Sequence, residues 1–260
     1  MEAMTATWPE IRYAIVVLSR YNHDPSNEHM VALKHVSRYL DGMKDWRLRF
    51  GGAPELEGEG ALRLYVNSDY AGCPDDCKST SGLAISFGGA VDWRSKNQKS
   101  TAQSTTDAKY YAFGVGCMTL REISHLMNEL GIPTIPDVFS DLQSMFVSLK
   151  NRICSGPAVA HIATTYYLAA DLGRDGEIDS SYVPTAEMLA DCFTKPLPQP
   201  AFLKQCAEMG SIGIGLGNGF GDGLGIGFSN DLRNGHEMVL ELDLASGMPS
   251  ECRLIGHVCF

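Results

Sequence analysis

Between Leu62 and Leu130 the apolar period changes once, from two to about 3.6 residues, and this switch constrains the fold more than any other feature. Leu62, Leu64 and Val66 alternate with Arg63, Tyr65 and Asn67, the pattern of a strand with one buried face. A polar loop ending in Lys78 to Gly82 (KSTSG) leads to a second apolar segment, Leu83 to Phe87. Gly88 and Gly89 turn the chain into a third, Ala90 to Arg94. Tyr110, Phe113, Cys117, Leu120, Ile123, Met127 and Leu130 then hold one face of a long helix, which Gly131 and Pro133 end. Farther on, Asp137 to Ser140 reads as a strand, followed by a helix through Leu149. Ile162 to Leu172 reads as a helix, Glu177 to Val183 as extended chain and Ala186 to Phe193 as a helix. Three meandering strands followed by alternating helix and strand predict a mixed α/β fold, a mixed β-sheet flanked by helices.

Upstream, the first 50 residues read as helical. Asp24 and Pro25 resemble an N-cap and first helical residue, Met30, Leu33, Val36 and Leu40 follow at helical spacing, and Gly42 closes the run. The Gly-, Pro- and Glu-rich stretch from Phe50 to Gly60 marks a boundary. Downstream, every second residue from Gly213 to Gly227 is glycine. Each glycine costs about 0.5–1 kcal/mol against alanine inside a regular element, so a flexible linker is expected there. It lacks the spacing of a dinucleotide-binding loop. MVLELDL and RLIGHVCF, near the C-terminus, are apolar enough for a strand or two. The expected organisation is a helical segment over 1–52, an α/β domain over 61–205 and a Gly-rich tail over 206–260.

Composition excludes several classes. Lys and Arg total 21 against 31 Asp and Glu, a formal charge of −10, which argues against non-specific nucleic-acid binding by the whole chain. No apolar run approaches the ~20 residues that span a bilayer, and MEAMTATWPEIRY does not read as a signal peptide, so no membrane partner is expected. The eight cysteines are scattered without a CxxC pair, and Cys73 and Cys77 have no second ligand pair at zinc spacing. Reduced thiols in an intracellular compartment, cytoplasmic or nuclear, are expected.

Four acidic or near-acidic places fall at element ends: NSDYAG (Asn67 to Gly72), STTDAKYY (Ser104 to Tyr111), VFSDLQS (Val138 to Ser144) and Asp191 within YVPTAEMLADCFTKPLP. Carboxylates gathered from strand ends and helix starts are how a protein holds two Mg²⁺ ions about 4 Å apart for phosphodiester hydrolysis.

These motifs, with TWPEIRYAIVVLSRYNHDPSNEHMVALKHVSRYLDGMKDWRLRFGG and DDCKSTSGLAISFGGAVDWRSKNQKSTAQSTTDAKYYAF, resemble the ribonuclease H region of copia-type retrotransposon polyproteins, with the end of the preceding reverse transcriptase. The resemblance covers roughly residues 7 to 205. It implies a ribonuclease H mixed sheet, cleavage of RNA in RNA–DNA hybrids, and Mg²⁺ (or Mn²⁺) as the metal. It also implies that residues 1–52 are the end of a reverse transcriptase whose catalytic Asp pair lies upstream, so polymerisation is not expected of this chain.

Two of the family's four metal-binding carboxylates are replaced. Asn67 stands where the family has Asp, and Lys109 where it has Glu; Asp141 and Asp191 are retained. Asn67 keeps an oxygen acceptor without its charge, and Lys109 places an ammonium where a cation should bind. Asp69, two residues along from Asn67, is a candidate for loose metal binding, and Asp107 reads as a first-turn charge at a helix start. Arg94, Lys96 and Lys99 form a basic loop beside Trp93 suited to phosphates. The expected function is a ribonuclease H-like domain with impaired catalysis and weak or lost hybrid binding. The alternative is a non-enzymatic remnant or a host-adopted interaction module.

Overall fold

The computed structural model of the protein describes residues 2–50, 62–143, 145–146, 170–213, 239–242 and 256–259. Three helices open the chain: α1 (Glu2–Ala6), α2 (Arg12–Ser19) and α3 (Asn27–Gly42). Ser26, rather than Asp24, caps α3. Its Oγ accepts from His29 N at 3.3 Å while its own N donates to His29 Nδ1 at 3.0 Å, a reciprocal pair that satisfies two end groups. The buried face of α3 is Ala32, Val36 and Tyr39, whereas Met30 and Leu33 stay 44% and 42% exposed, so the packing stripe is rotated from the one the sequence suggests. Strand β1 (Trp46–Leu48) follows.

The alternating segments form β2 (Arg63–Ser68), β3 (Thr80–Ser86) and β4 (Ala90–Asn97), an antiparallel meander. Helix α4 (Thr105–Glu129) leads to β5 (Asp137–Ser140), and β6 (Asp179–Tyr182) lies beside it. The five strands take the order β4-β3-β2-β5-β6, with β5 parallel to both β2 and β6. This is the mixed sheet that the resemblance to ribonuclease H implies.

Each face of the sheet carries a core. On one, Tyr110, Phe113, Cys117 and Leu120 of α4 cover Leu64, Val66, Ile85 and Val138. The predicted helical face fades outward: Ile123 and Met127 are half-buried and Leu130 is exposed. On the other face, Ala84 and Trp93 meet Met4, Ile11, Ala14, Val36 and Tyr39 from the N-terminal helices, with Phe193, Phe202 and Met209 from the far end of the sequence. Trp93 Nε1 donates to the Met4 carbonyl at 2.7 Å.

Ala186 to Phe193 forms two 3₁₀ turns, Thr185–Glu187 and Leu189–Phe193, rather than one helix. Helix α5 (Gln199–Glu208) carries the packed structure past residue 205, where Cys206 and Met209 are buried. Strand β7 (Ser211–Gly213) then pairs antiparallel with β1. Near the C-terminus, β8 (Val239–Leu242) pairs with β9 (Gly256–Cys259). The Gly-alternating stretch beyond Gly213, most of the Phe50 to Gly60 boundary and the helical expectations over 147–169 lie outside the described residues. Among the described residues no helix is long and apolar enough to cross a membrane.

Candidate active site

The site forms at the C-terminal ends of β2 and β5. Tyr65 pairs with Phe139 across these parallel strands, so continuing the register two residues sets Asp141 alongside Asn67, one strand spacing of about 4.8 Å away. Asp191 reaches the same edge from the Leu189–Phe193 turn, which rests on β3 at Gly82, itself the cross-strand partner of Asn67. A Cβ at Gly82 would stand 2.7 Å from the Ala190 carbonyl oxygen and 2.6 Å from Thr194 Cγ2, so only glycine permits this approach. The close contact explains the last residue of the KSTSG motif.

The four positions carried over from the resemblance meet as two pairs. Asn67 Nδ2 donates to Asp191 Oδ1 at 2.5 Å, and Lys109 Nζ, from the first turns of α4, lies 2.5 Å from Asp141 Oδ1. The remaining oxygens are also taken: Thr185 Oγ1 donates to Asp141 Oδ2 at 3.4 Å, and Lys195 Nζ pairs with Asp191 Oδ2 at 2.8 Å. Sequence reasoning missed Lys195 and Thr185. The signal for Lys195 was its position four residues after Asp191, one turn of helical chain away.

The neighbouring carboxylates are engaged elsewhere. Asp69 accepts a short hydrogen bond from Thr80 N, and burial pushes its pKa up to about 6 against the opposing pull of Thr80, Arg20 and Lys195. Asp107 closes the start of α4: its N donates to Ser104 Oγ at 3.1 Å and its Oδ2 accepts from Gln103 N at 2.8 Å. Because α4 begins at Thr105, Asp107 is fastened inside the first turn. Arg94 and Lys96 lie on the edge strand β4 rather than in a loop, and Lys99 follows it; all three are exposed. Arg94 spends its guanidinium on Asp92 at 2.9 Å and on Thr119 Oγ1 at 3.1 Å. Through Ser81, Lys96 shares a cross-sheet row with Ser68, next to Asn67.

This donor set does not fit a pair of divalent cations. Two carboxylates face two ammonium groups, so these four groups sum to no charge, and all four carboxylate oxygens already have partners. Mg²⁺ needs oxygens at about 2.0–2.1 Å, in the space that the Lys109 and Lys195 ammoniums occupy. No cluster of three or more metal-ligating side chains exists among the described residues.

No protein-family model matches the chain. Over 221 residues it is 31% identical to the retrovirus-related Pol polyprotein from transposon RE2 of Arabidopsis thaliana, a match covering 82% of this chain and 15% of that protein. It is 34% identical over 211 residues to the corresponding polyprotein from transposon TNT 1-94 of Nicotiana tabacum, covering 80% and 15%. The chain is a homologue of copia-type retrotransposon Pol polyproteins. It spans about 15% of the length of these polyproteins. It is also 39% identical over 113 residues to secreted RxLR effector protein 161 of Plasmopara viticola, covering 43% of this chain and 77% of that protein. Among solved structures, the N-terminal RNase H domain of rv2228c from Mycobacterium tuberculosis aligns with 57% of this chain and 98% of its own, at 14% identity and a TM-score of 0.39.

Proposed function

We propose that this Pol-derived, ribonuclease H-like domain has exchanged its hydrolytic metal centre for a closed network of ion pairs, so that cleavage of RNA in RNA–DNA hybrids is weak or lost. The single observation that carries this reading is Lys109 Nζ at 2.5 Å from Asp141 Oδ1, with the two side chains only 14% and 6% exposed. Two Mg²⁺ ions held close together repel each other and need carboxylate charge to offset that. Glu to Lys at 109 changes the local charge by two units, and Asp to Asn at 67 by one more. At about 4 Å and an effective dielectric near 20, each unit is worth roughly 4 kcal/mol before relaxation and screening. Even about half of that weakens metal binding some thirtyfold per unit.

On this reading the 1–52 helices are the end of a reverse transcriptase region, and the packed domain runs through Gly213 rather than stopping at 205, so that only the sequence beyond it is an appended tail. Lys96 and Lys99 are exposed and have no ion-pair partner among the described residues, which supports residual, salt-sensitive hybrid binding in place of cleavage. The test is a hybrid-cleavage assay with Mg²⁺ and with Mn²⁺ on the natural chain and on the double reversion Asn67→Asp, Lys109→Glu. The natural chain is expected to cut several orders of magnitude more slowly than the reverted one. Cleavage by the natural chain within tenfold of the reverted protein, abolished by Asp141→Asn, would overturn the reading.

A further inference from the structure

A second feature lies in the connection between β2 and β3, which carries Cys73 and Cys77. Both backbone groups of Cys73 are tied to the far end of that connection. Its carbonyl accepts from Cys77 N at 2.9 Å, and its own N donates to the Lys78 carbonyl at 3.0 Å. Cys77 has a φ of 52°, in the left-handed region that favours glycine. A turn closed from the fifth N–H to the first carbonyl, with the fifth residue left-handed, is a helix-ending arrangement in which the first and fifth side chains meet. One helical turn sets the Cα atoms of such a pair about 6 Å apart, inside the ~4.4–6.8 Å that a disulfide spans. The connection is also fastened from outside: Ala71 N donates to Ser79 Oγ at 3.1 Å, and Tyr21 OH donates to Asp75 Oδ2 at 2.9 Å.

The two thiols differ in the way an oxidisable pair requires. Cys77 is the one exposed thiol among the described residues, so a dissolved oxidant reaches it first. Cys73 is 3% exposed, and its thiol donates to the Asp76 carboxylate, so it is shielded from solvent yet lies in the same turn as Cys77. Burial pushes the thiols of Cys117, Cys192 and Cys206 above their ordinary pKa, which keeps them protonated and slow to react. A structural zinc ion takes four ligands, and no cluster of three or more ligating side chains exists among the described residues, so the pair suits oxidation rather than metal binding. We propose that Cys73 and Cys77 form a reversible, peroxide-driven disulfide within the β2–β3 connection, with Cys77 attacked first and Cys73 resolving it. The Cys77 sulfur takes one oxygen from hydrogen peroxide as the O–O bond breaks, giving a sulfenic acid and water. The Cys73 sulfur then attacks the Cys77 sulfur. The S–S bond forms, the S–O bond breaks, and the departing hydroxide leaves with the Cys73 thiol proton as a second water. Peroxide gains two electrons and the two sulfurs lose them; an external dithiol returns both thiols by exchange.

The test takes the full, reduced chain, treats it with hydrogen peroxide, blocks remaining thiols with N-ethylmaleimide under denaturing conditions and cuts it with trypsin. Both cysteines fall in one tryptic peptide, 64–78, so loss of two hydrogens there, with no maleimide added, reports on this pair alone. In the natural chain that loss is expected at least about tenfold faster than oxidation of Cys117, Cys192 or Cys206, and dithiothreitol is expected to reverse it. Cys77→Ser is expected to slow disappearance of the Cys73 thiol by about tenfold or more, because the buried sulfur then meets peroxide unaided. Cys73→Ala is expected to leave Cys77 as a sulfenic acid that dimedone traps, whereas the natural chain consumes it. Should Cys73→Ala fail to fold, the natural chain and the exposed-site variant Cys77→Ser decide the matter. The proposal is overturned by oxygen added at Cys77 while Cys73 still takes maleimide, by Cys77 joined to Cys77 of a second copy, by unchanged Cys73 oxidation in Cys77→Ser, or by a 64–78 peptide that keeps both thiols under peroxide.

Discussion

Asp141 and Asp191 arrive at the same sheet edge and end in different company. Asp141 is locked to a lysine that is itself nearly buried, so its charge is neutralised from within the protein. Asp191 takes a neutral donor from Asn67, and its lysine partner, Lys195, is 42% exposed and shared with water. One half of the site is closed by a nearly buried ion pair, the other by a neutral amide donor and a half-exposed lysine. The two pairings are therefore not equivalent. A buried ion pair is costly to break from one side, whereas a half-exposed pair has a high-dielectric alternative.

The largest effect should come from breaking the closed half. Lys109→Ala strands the Asp141 carboxylate in a buried place and is expected to cost about 3–5 kcal/mol of stability in chemical denaturation. Millimolar Mg²⁺ should return part of that loss by pairing with the freed carboxylate, an effect absent from the natural chain. A loss below ~1 kcal/mol would mean that Asp141 relaxes to water and that the two halves are alike.

Next in size is Gly82→Ala. The added methyl must displace the Ala190 carbonyl or the Phe193 side chain, and overpacking of this kind costs about 1–3 kcal/mol. Since the turn it pushes carries Asp191, amide exchange should accelerate at 189–193 before it changes around Asp141. Uniform acceleration across both halves would break the comparison.

Acidity near the softer half should act in an unusual direction. The Asp69 pKa is raised from its ordinary 3.8 to about 6, so between those values the folded state holds a proton that the unfolded chain has released. The contribution of Asp69 to stability should therefore be full below about pH 4 and be lost as pH rises through about 6, by at most ~3 kcal/mol and by less after solvent screening. Asp69→Asn should flatten that slope; a slope that persists in the variant belongs to another group.

The smallest effect is expected from Lys195→Ala. Asp191 keeps its bond from Asn67, so the loss should stay under about 1 kcal/mol and shrink with added salt. A loss matching that of Lys109→Ala would show Asp191 to be as dependent on its lysine as Asp141.

Where structure is built from neighbours in sequence, it was legible beforehand. The alternation at Leu62, Leu64 and Val66, the Gly88-Gly89 turn and the spacing from Tyr110 to Leu120 placed β2, β4 and α4, because strand and helix periods are local properties. Asn67 and Lys109 likewise stand out by residue type alone against the motifs that the resemblance implies. Other features were not legible. The cap of α3 went to Ser26 because a reciprocal bond with His29 outcompetes a lone Asp-Pro start. The Ala186 to Phe193 segment tightened into 3₁₀ turns, and β1 found its partner 160-odd residues away in β7. Above all, residue types could say that an ammonium stands at 109, but not where it would point. That Lys109 turns inward onto Asp141, and that Lys195 completes the neutralisation at Asp191, follows from α4 and the 189–193 turn converging on one sheet edge. Pair geometry of this kind depends on distances between residues remote in sequence, which only the folded arrangement of β2, β5, α4 and that turn brings within reach.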